Sequence, residues 1–249
     1  MDEKILDETL SFFLISIQRE LSSKSIYLEM RNYNDYSVFK PVFSASGFEY
    51  SSHLNIQVMT TLGAEKAFGR VNDSKRRQIK QSIRSGVSCE ISHNKDDLKA
   101  FYQILDRLYR KKVKKPLFPF DFFDIMHNQS FTRFFVVKKG EQVLGGIFCV
   151  ISDKVVYEWF ICGEDIRTEK TYASALATWT AIEYAANNGF VYFDFMGAGK
   201  QDERYGVREF KSKFGGILMD HGRFLYICKP KLYNFSKSIL NLTKKILSK

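Results

Sequence analysis

The stretch FDFMGAGKQDERYGVREFKSKFGG, residues 193 to 216, contains glycines on both sides of a run of alternating charge, followed by two lysines. Glycines and lysines are the residue types of phosphate-binding loops. Two phosphate-loop patterns apply to such a stretch. A Walker loop around Gly199-Lys200 needs glycine at position 194 and Ser or Thr at 201, and neither is present. A dinucleotide-binding loop that begins at Gly197 needs glycine at position 202, where Asp202 stands. Both patterns fail, so we expect these glycines to let the chain turn sharply out of a buried strand.

Two acidic residues lie inside predicted apolar strands. Asp194 stands between Phe193 and Phe195, and Glu158 stands within VVYEWF. A carboxylate at such a position either points into a functional site or has a structural role. For Asp194 the structural alternative is a cap on a neighbouring turn. For Glu158 it is a half-exposed strand position where the acid pairs with a lysine.

A third group of candidate residues is basic. Residues 63–86 predict a helix that ends at a glycine, and at about 100° per residue Arg76, Lys80 and Arg84 share one stripe of it. Such a stripe can bind phosphate groups. We assign Arg76, Arg77, Lys80 and Arg84 as candidate phosphate-binding residues. The alternative is a helix face that is only solvated.

The composition of the chain favours an anionic partner. Its 249 residues carry a net charge of +10, and 45% of them are hydrophobic, so the chain can form a sizeable core. The excess of positive charge fits nucleic acid, an anionic lipid or a phosphate-bearing substrate, and it does not choose among them. A solvated basic surface without such a partner is the alternative.

Several other classes of protein are not indicated. The four cysteines are scattered and form no Cys/His cluster at ligand spacing, so we expect no metal site. The acidic first residues do not resemble a secretory signal, and no apolar run approaches the ~18 residues that span a bilayer. We therefore expect a cytoplasmic protein.

The last residues predict a basic amphipathic helix. Lysines occupy its other faces, while apolar residues recur at spacings of three and four: Leu232, Phe235, Ile239, Leu242 and Ile246. A helix of this kind can lie on an anionic membrane, which would make the protein peripheral on the inner face of that membrane. The alternative is that it covers the apolar N-terminal region.

The order of the predicted elements indicates an internal repeat. Residues 4–21 predict a helix, followed by a short strand, a short helix that ends at Gly47 and a long strand over 48–59. The same order returns with a helix over 172–187 and ends with a long strand over 217–228. We interpret this as a divergent helix–strand–helix–strand repeat. Two unrelated units of a common type are the alternative.

Between the two copies, the sequence predicts a basic helix, a strand, two helices and three antiparallel strands joined by tight turns. We therefore expect an α/β (α+β) fold with a mixed, mostly antiparallel sheet flanked by helices. The expected organisation is a partial N-terminal half-domain (1–60), a basic connecting helix (61–86), a complete domain (87–229) and the C-terminal helix (230–249).

This order resembles that of the GNAT acyltransferase fold, and four stretches resemble Fem-type peptidoglycan-bridge aminoacyltransferases, which have two tandem GNAT-like domains. The stretches are SKRRQIKQSIRSGV (74–87), VYEWFICGED (156–165), YASALATWTAIEYAANNGFVYFDFMGA (172–198) and YGVREFKSKFGG (205–216). Family members carry a full first domain. Here the early strands of that domain are missing, so we expect one complete GNAT-like domain preceded by only the C-terminal half of a second one.

The resemblance implies transfer of an acyl or aminoacyl group to an amine. We assign Lys211, Asp194 and Glu158 as the candidate catalytic residues. The resemblance places Phe210-Lys211 at the acyl-transfer centre, where a lysine stabilises an oxyanion or binds a donor phosphate. An acid on the central strand, such as Glu158, would be the general base. The alternative for Lys211 is a solvated helix residue.

The expected substrate-binding residues are Phe210, Tyr172, Tyr205 and Arg208. For Phe210 the alternative is packing in the core, together with Phe214 one helical turn away. For Tyr172 it is an anchor for the end of the long helix.

No bound cofactor is expected, only an acyl donor as co-substrate: aminoacyl-tRNA, acyl-CoA or an acyl carrier. Acyl-CoA-dependent members of the fold carry a glycine-rich loop before the long helix, whereas residues 163–175 read GEDIRTEKTYASA and lack those glycines. The sequence therefore favours a tRNA or carrier-protein donor. The expected acceptor is an amine of a cell-wall peptide or of a surface-glycan precursor.

The competing hypothesis is a GNAT-like module without catalysis that binds RNA or an anionic glycolipid. The half-domain also predicts an uncovered sheet edge or apolar helix face. We therefore expect a homodimer, or a coding start upstream of Met1.

Overall fold

The computed structural model describes residues 3–32, 34–199 and 206–247, with the backbone alone for residue 3 and residues 241–247. The described helices are α1 (Glu3–Leu21), α2 (Lys40–Ala45), α3 (Ala64–Arg70), α4 (Asp73–Arg84), α5 (Lys95–Leu108), α6 (Phe120–His127), α7 (Ala173–Asn187), α8 (Gly206–Ser212) and α9 (Pro230–Leu247). The described strands are β1 (Tyr27–Arg31), β2 (Glu49–Ser51), β3 (Leu54–Met59), β4 (Val87–Ile91), β5 (Thr132–Lys139), β6 (Gln142–Ile151), β7 (Val155–Gly163), β8 (Tyr192–Gly197), β9 (Ile217–Asp220) and β10 (Arg223–Ile227).

The described strands form a large and a small sheet. The large sheet has the order β4-β5-β6-β7-β8-β3-β9, and its neighbouring strands are antiparallel from β4 to β7 and between β8 and β3, but parallel between β7 and β8. The small sheet has the order β1-β10-β2 and is antiparallel. The predicted mixed, mostly antiparallel sheet is confirmed.

The chain divides into two compact units. The first contains the described residues of 3–54 and 220–247, and the second contains those of 55–199 and 206–219. The small sheet belongs to the first unit. The large sheet is built on the second unit, which also contains α3 to α8.

Both long strands predicted for the repeat are broken, and this prediction was wrong. The stretch 48–59 forms β2 and β3, and the stretch 217–228 forms β9 and β10. β10 lies between β1 and β2 in the small sheet, whereas β3 lies between β8 and β9 in the large sheet. Each copy of the predicted repeat therefore gives one half of its last strand to each sheet. Apolar patterning gives no sign of these breaks, because both halves of each stretch have strand-like sequences.

Because these strands are split between the two sheets, the two compact units have different boundaries from the predicted domains. The predicted half-domain over 1–60 gives β3 to the second unit, and the predicted domain over 87–229 gives β10 to the first unit. The predicted basic helix over 63–86 is also divided, into α3 and α4. The break lies at Asn72, whose side-chain oxygen accepts a hydrogen bond from the N–H of Ser74 at 2.9 Å and so starts a new helix.

Helices cover both faces of the large sheet. Phe134 and Phe135 are neighbours on β5, so their side chains point to opposite faces. Phe134 packs on Phe101 of α5, with ring centroids 5.0 Å apart, and Phe135 packs on Tyr184 of α7 at 5.4 Å. The strands between α5 and α7 are therefore buried on both sides.

The core of the first unit is aromatic. Phe43 of α2 stacks on Phe224 of β10 with ring centroids 3.8 Å apart, and Phe48 meets the edge of Phe43 at 5.7 Å. Leu14 of α1 is fully buried in the same cluster. The first unit therefore has its own core, to which β10 supplies a central ring.

The C-terminal helix α9 begins against the small sheet. The ring of Tyr233 packs on Tyr27 of β1 at 5.7 Å, whereas Leu232, Phe235 and Ile239 are 50%, 65% and 45% exposed. The side chains of the other two predicted positions, 242 and 246, lie outside the described residues. Of the helices in the described ranges, none has the length and the apolar content needed to cross a bilayer.

Replacing Phe224 with alanine tests the core of the first unit. The substitution removes a buried ring, so we expect the free energy of unfolding of this unit to fall by about 3–5 kcal/mol. Phe12→Ala, at a position that is 74% exposed on α1, should change it by less than about 0.5 kcal/mol. Urea denaturation followed by circular dichroism measures both variants. Equal effects of the two substitutions would contradict this core.

Candidate active site

The large sheet splits between β7 and β8. The pairing of these parallel strands ends where Tyr157 lies opposite Asp194. β7 nevertheless continues to Gly163 and β8 to Gly197. A gap therefore opens between the two strands immediately after this pair.

An irregularity in β7 lies at the start of the gap. Phe160 pairs with Phe148 of β6 and Glu158 pairs with Cys149, so Trp159 is an extra residue without a counterpart on β6. Such a β-bulge bends a strand and changes the direction of its side chains. Glu158 is the residue directly before the bulge.

The ammonium group of Lys211, on α8, lies where the strands part. Its Nζ donates to the carbonyl oxygens of Phe195 at 2.5 Å and Gly197 at 3.1 Å, and it lies 3.1 Å from Oε1 of Glu158. A lysine ammonium has three donors, and these three acceptors engage all of them. Lys211 is only 7% exposed, so it is not a solvated helix residue. Its side chain connects β7 and β8 where their own hydrogen bonds have stopped.

The carboxylate of Glu158 is buried and only half satisfied. Glu158 is 5% exposed, and among the described residues its Oε2 has no hydrogen-bond partner. Burial raises the pKa of Glu158, the positive charge of Lys211 opposes this rise, and the charge of Asp194 adds to it. A carboxylate with a raised pKa and a free oxygen can accept a proton.

The carboxylate of Asp194 holds a turn. Its Oδ1 accepts a hydrogen bond from the N–H of Met196, and its Oδ2 accepts one from Nε2 of Gln57 at 2.9 Å. Met196 has a φ of 56°, in the left-handed region that a methionine rarely adopts. The bond from Asp194 supports this conformation, which is the turn-capping alternative that the sequence offered.

The predicted substrate-binding residues lie around α8 and the start of α7. Phe210 is half-buried and its ring packs on Phe214 at 5.2 Å, while Arg208 donates from Nε to the carbonyl oxygen of Ala198 at 2.7 Å. Tyr172 precedes α7, and its N–H donates to Oγ of Ser82 at 2.8 Å. Tyr205 lies outside the described residues.

The four predicted phosphate-binding residues are not turned toward the gap. On α4, Lys75 contacts the ring of Phe210 and Ser82 binds Tyr172. At about 100° per residue, Arg77, Lys80 and Arg84 lie on the opposite side of the helix from Lys75 and Ser82. Arg76 lies beside them and pairs with Asp73 on the same helix.

Sequence reasoning did not single out Gln57 and Lys75. The polar side chain of Gln57 within the apolar strand β3 could have marked it as a candidate site residue. Lys75 is 9% exposed, its Nζ lies 4.3 Å from the ring centroid of Phe210, and burial lowers the pKa of Lys75. Its signal was its spacing from Ile79 and Ser82 along the buried face of α4.

The first copy of the repeat does not have this set of residues. Gly47 corresponds to Gly216, so Val42 takes the position of Lys211. The strand match places Glu29 where Asp194 stands, and Glu29 is paired with Arg31 at 2.8 Å. Lys211 and Asp194 therefore belong to the second copy, whereas Glu158 lies on β7, outside both copies. Within the described residues, no three His, Cys, Asp or Glu side chains are arranged to hold a metal ion.

The chain matches the model of a known protein family. The model of the acetyltransferase (GNAT) domain matches residues 73–212, which is more than half of the chain. The match runs from the start of α4 to the end of α8 and includes Glu158, Asp194 and Lys211. No curated protein matches the chain.

Solved structures share the fold at low sequence identity. The crystal structure of FemX is 15% identical in sequence, and the superposition has a TM-score of 0.73. The match covers 92% of this chain and 79% of the FemX chain. The C-terminal domain of a protein described as a lysylphosphatidylglycerol synthetase, from Agrobacterium fabrum, is 14% identical, covers 94% and 78%, and has a TM-score of 0.63. These matches, together with the family model, confirm the predicted GNAT-like fold.

Replacing Lys211 with methionine tests the ion pair. The change leaves the buried carboxylate of Glu158 and two carbonyl groups without their partner. We expect the free energy of unfolding to fall by roughly 3–5 kcal/mol. The double variant Lys211→Met/Glu158→Leu should recover part of this loss, because it removes the buried charge as well. Urea denaturation of the wild type, Lys211→Met, Glu158→Leu and the double variant measures the coupling, and strictly additive effects would contradict a direct pair.

The pH dependence of stability tests the environment of Glu158. Its pKa is raised in the folded protein, so the folded state holds this proton more tightly than the unfolded state does. The stability that this proton supplies is full below the ordinary glutamate pKa of about 4.3 and is lost as the pH rises through the raised value. Glu158→Gln should abolish this decline, as measured by urea denaturation across that range. The same slope in wild type and variant would contradict a raised pKa.

Proposed function

Because this chain belongs to the acetyltransferase (GNAT) domain family, we propose that it transfers an acyl or aminoacyl group to an amine. The observation that carries the proposal is the buried carboxylate of Glu158 at the start of the split between β7 and β8, with its Oε2 unpaired within the described part of the chain. This oxygen is the proposed general base.

The proposed reaction needs one proton acceptor at the amine. The amine nitrogen attacks the acyl carbon, the new C–N bond forms, and the bond between that carbon and the donor oxygen or sulfur breaks. The proton from the nitrogen goes to Oε2 of Glu158, and the leaving group takes up a proton in turn. A carboxylate whose pKa is raised by burial holds that proton better near neutral pH than an exposed one does.

Lys211 and Asp194 have positioning roles in this proposal. All three donors of Lys211 are engaged by Glu158 and two carbonyl groups of β8, so the ammonium fixes the base and the open strands. Asp194 fixes the turn at Met196. Neither side chain needs to touch the acyl group for this arrangement to work.

The start of α7 favours a donor other than acyl-CoA. Backbone N–H groups at a helix start bind pyrophosphate when they are available. Here the N–H of Tyr172 is bound by Oγ of Ser82 at 2.8 Å, and the N–H of Ser174 lies 3.4 Å from Oδ1 of Asp165. The lack of glycines over 164–175 points the same way. The proposed donor is therefore an aminoacyl-tRNA or an acyl carrier.

The proposed acceptor is an amine of a cell-wall peptide or a surface-glycan precursor. This part rests on the resemblance of four sequence stretches to Fem-type enzymes, and FemX shares the fold. Phe210, Arg208 and Tyr172 are the proposed contacts to substrate, together with Tyr205.

The second candidate function is a binding module without catalysis. It is favoured by the same contacts, because Lys211 and Asp194 make their hydrogen bonds within the chain. Incubation with aminoacyl-tRNA or with acyl-CoA, each with candidate amines and with product detection by mass spectrometry, separates the two functions. Salt-sensitive RNA binding without any product would support the module.

Glu158→Gln tests the proposed base. Loss of a positioned general base should lower kcat/KM by about 10²–10⁴-fold. Glu90→Gln is the matched control, because Glu90 is an exposed acid on β4 of the same sheet. In Lys211→Ala, the pH at which activity rises should move upward, since the positive charge that opposes the raised pKa of Glu158 is gone. Full activity of a folded Glu158→Gln variant would rule out Glu158 as the base.

A further inference from the structure

A basic groove of about 560 Å³ runs along the exposed side of α4. Four basic residues of that helix line it: Arg76, Arg77, Lys80 and Arg84. Among the described lining residues Asp73 is the only acid, and it pairs with Arg76. Arg76 also donates to the carbonyl oxygen of Gly69 at 3.1 Å. The groove therefore keeps a strong positive charge after this internal pairing.

Three of its cations are available to a ligand. In the part of the chain that the structure describes, Arg77 and Arg84 form no ion pair, and Nζ of Lys80 lies 5.7 Å from the ring centroid of Phe68. The three lie on one side of α4 over about two turns, or roughly 10 Å. This spacing suits a phosphate or diphosphate group, which guanidinium groups bind well.

An apolar groove of about 430 Å³ adjoins the basic groove, and Phe68 and Lys80 line both of them. Its walls include Ile79, Ile83 and Trp179. Ile83 is 57% exposed, and the rings of Phe68 and Trp179 are 4.6 Å apart. An exposed isoleucine beside an aromatic pair favours binding of an apolar chain.

Two acidic residues make the two ends of the joined grooves opposite in charge. Glu65 and Glu183 line the apolar groove, and Glu183 accepts a hydrogen bond from Trp179. Their negative charge repels a phosphate from the apolar groove, while the three cations attract it to the basic one. Trp179 is only 6% exposed, so its ring does not offer a face on which a nucleobase could stack. The surface therefore fits an amphiphile better than a polynucleotide.

We propose that the joined grooves bind an amphiphile that carries a phosphate or diphosphate on a single apolar chain. The phosphate lies at Arg77, Lys80 and Arg84, and the chain lies along Ile83 and Trp179. This inference goes beyond acyl transfer, since the cations of the basic groove lie on the side of α4 opposite to Lys75 and Ser82. Its test is a binding measurement, which does not depend on turnover.

The fluorescence of Trp179 reports on this site. The chain has two tryptophans, so Trp159→Phe leaves Trp179 as the only indole. Titration of this variant with monomeric farnesyl phosphate should give a saturable change in emission, confirmed by calorimetry. Farnesol and inorganic phosphate should each bind at least tenfold more weakly, because each lacks one half of the ligand.

Substitutions in each groove separate the two halves of the ligand. Arg77→Glu/Arg84→Glu should weaken binding of farnesyl phosphate at least tenfold through the phosphate, and Ile83→Asp should do so through the chain. Lys111→Glu/Lys112→Glu reverses the same number of exposed charges elsewhere and should leave binding unchanged. Circular dichroism checks that each variant is folded.

Several results would overturn the proposal. Equal affinity for inorganic phosphate and farnesyl phosphate would show an anion site only. Binding of a short RNA that is lost in Arg77→Glu/Arg84→Glu but kept in Ile83→Asp, without binding of farnesyl phosphate, would assign the surface to nucleic acid. Binding only to anionic vesicles, with no effect of Ile83→Asp, would reduce it to a charged membrane contact. No response to farnesyl phosphate by either method would also reject it.

Discussion

The ion pair between Lys211 and Glu158 lies at the point where two parallel strands of the large sheet separate. Separating strands inside a protein leaves backbone carbonyl groups without partners, which is costly. The ammonium group of Lys211 offsets this cost, because it binds two carbonyl groups of β8 and, at the same time, the carboxylate on β7. Two buried charges are costly by themselves, and here hydrogen bonds accompany the pairing. The gap in the sheet can therefore persist without leaving these two carbonyl groups unpaired.

The same interaction sets the chemistry of the site. It uses one oxygen of Glu158 and leaves the other without a partner in the described residues, and burial keeps the pKa of this group raised. Neighbouring side chains make structural hydrogen bonds. Asp194 accepts one from the N–H of Met196 and so stabilises that turn, and Arg208 donates one to the carbonyl oxygen of Ala198. In the proposed reaction the site thus supplies a proton acceptor supported by positioned neighbours, which is what acylation of an amine needs.

Helix α4 serves two different surfaces. Lys75 and Ser82 face the gap side, through Phe210 and Tyr172, while the exposed arginines line a groove on the other side. A helix can do this because residues three and four apart share a face and those two apart do not. Basic residues that are adjacent in sequence therefore have separate roles, one of them beside the proposed substrate contacts and the others at the proposed amphiphile site.

The sequence by itself determined the local elements and the types of residue at the site. Apolar periodicity predicted α1 and α7, and the acids within apolar strands marked Asp194 and Glu158. The tertiary structure alone decided the breaks after β2 and β9, which send half of each predicted strand to another sheet. It also decided the bulge at Trp159 and the partners of Lys211. Strand register and ion pairing join residues that are distant in sequence, so no local pattern encodes them. Which strands lie side by side, and where they part, depends on the packing of the whole sheet.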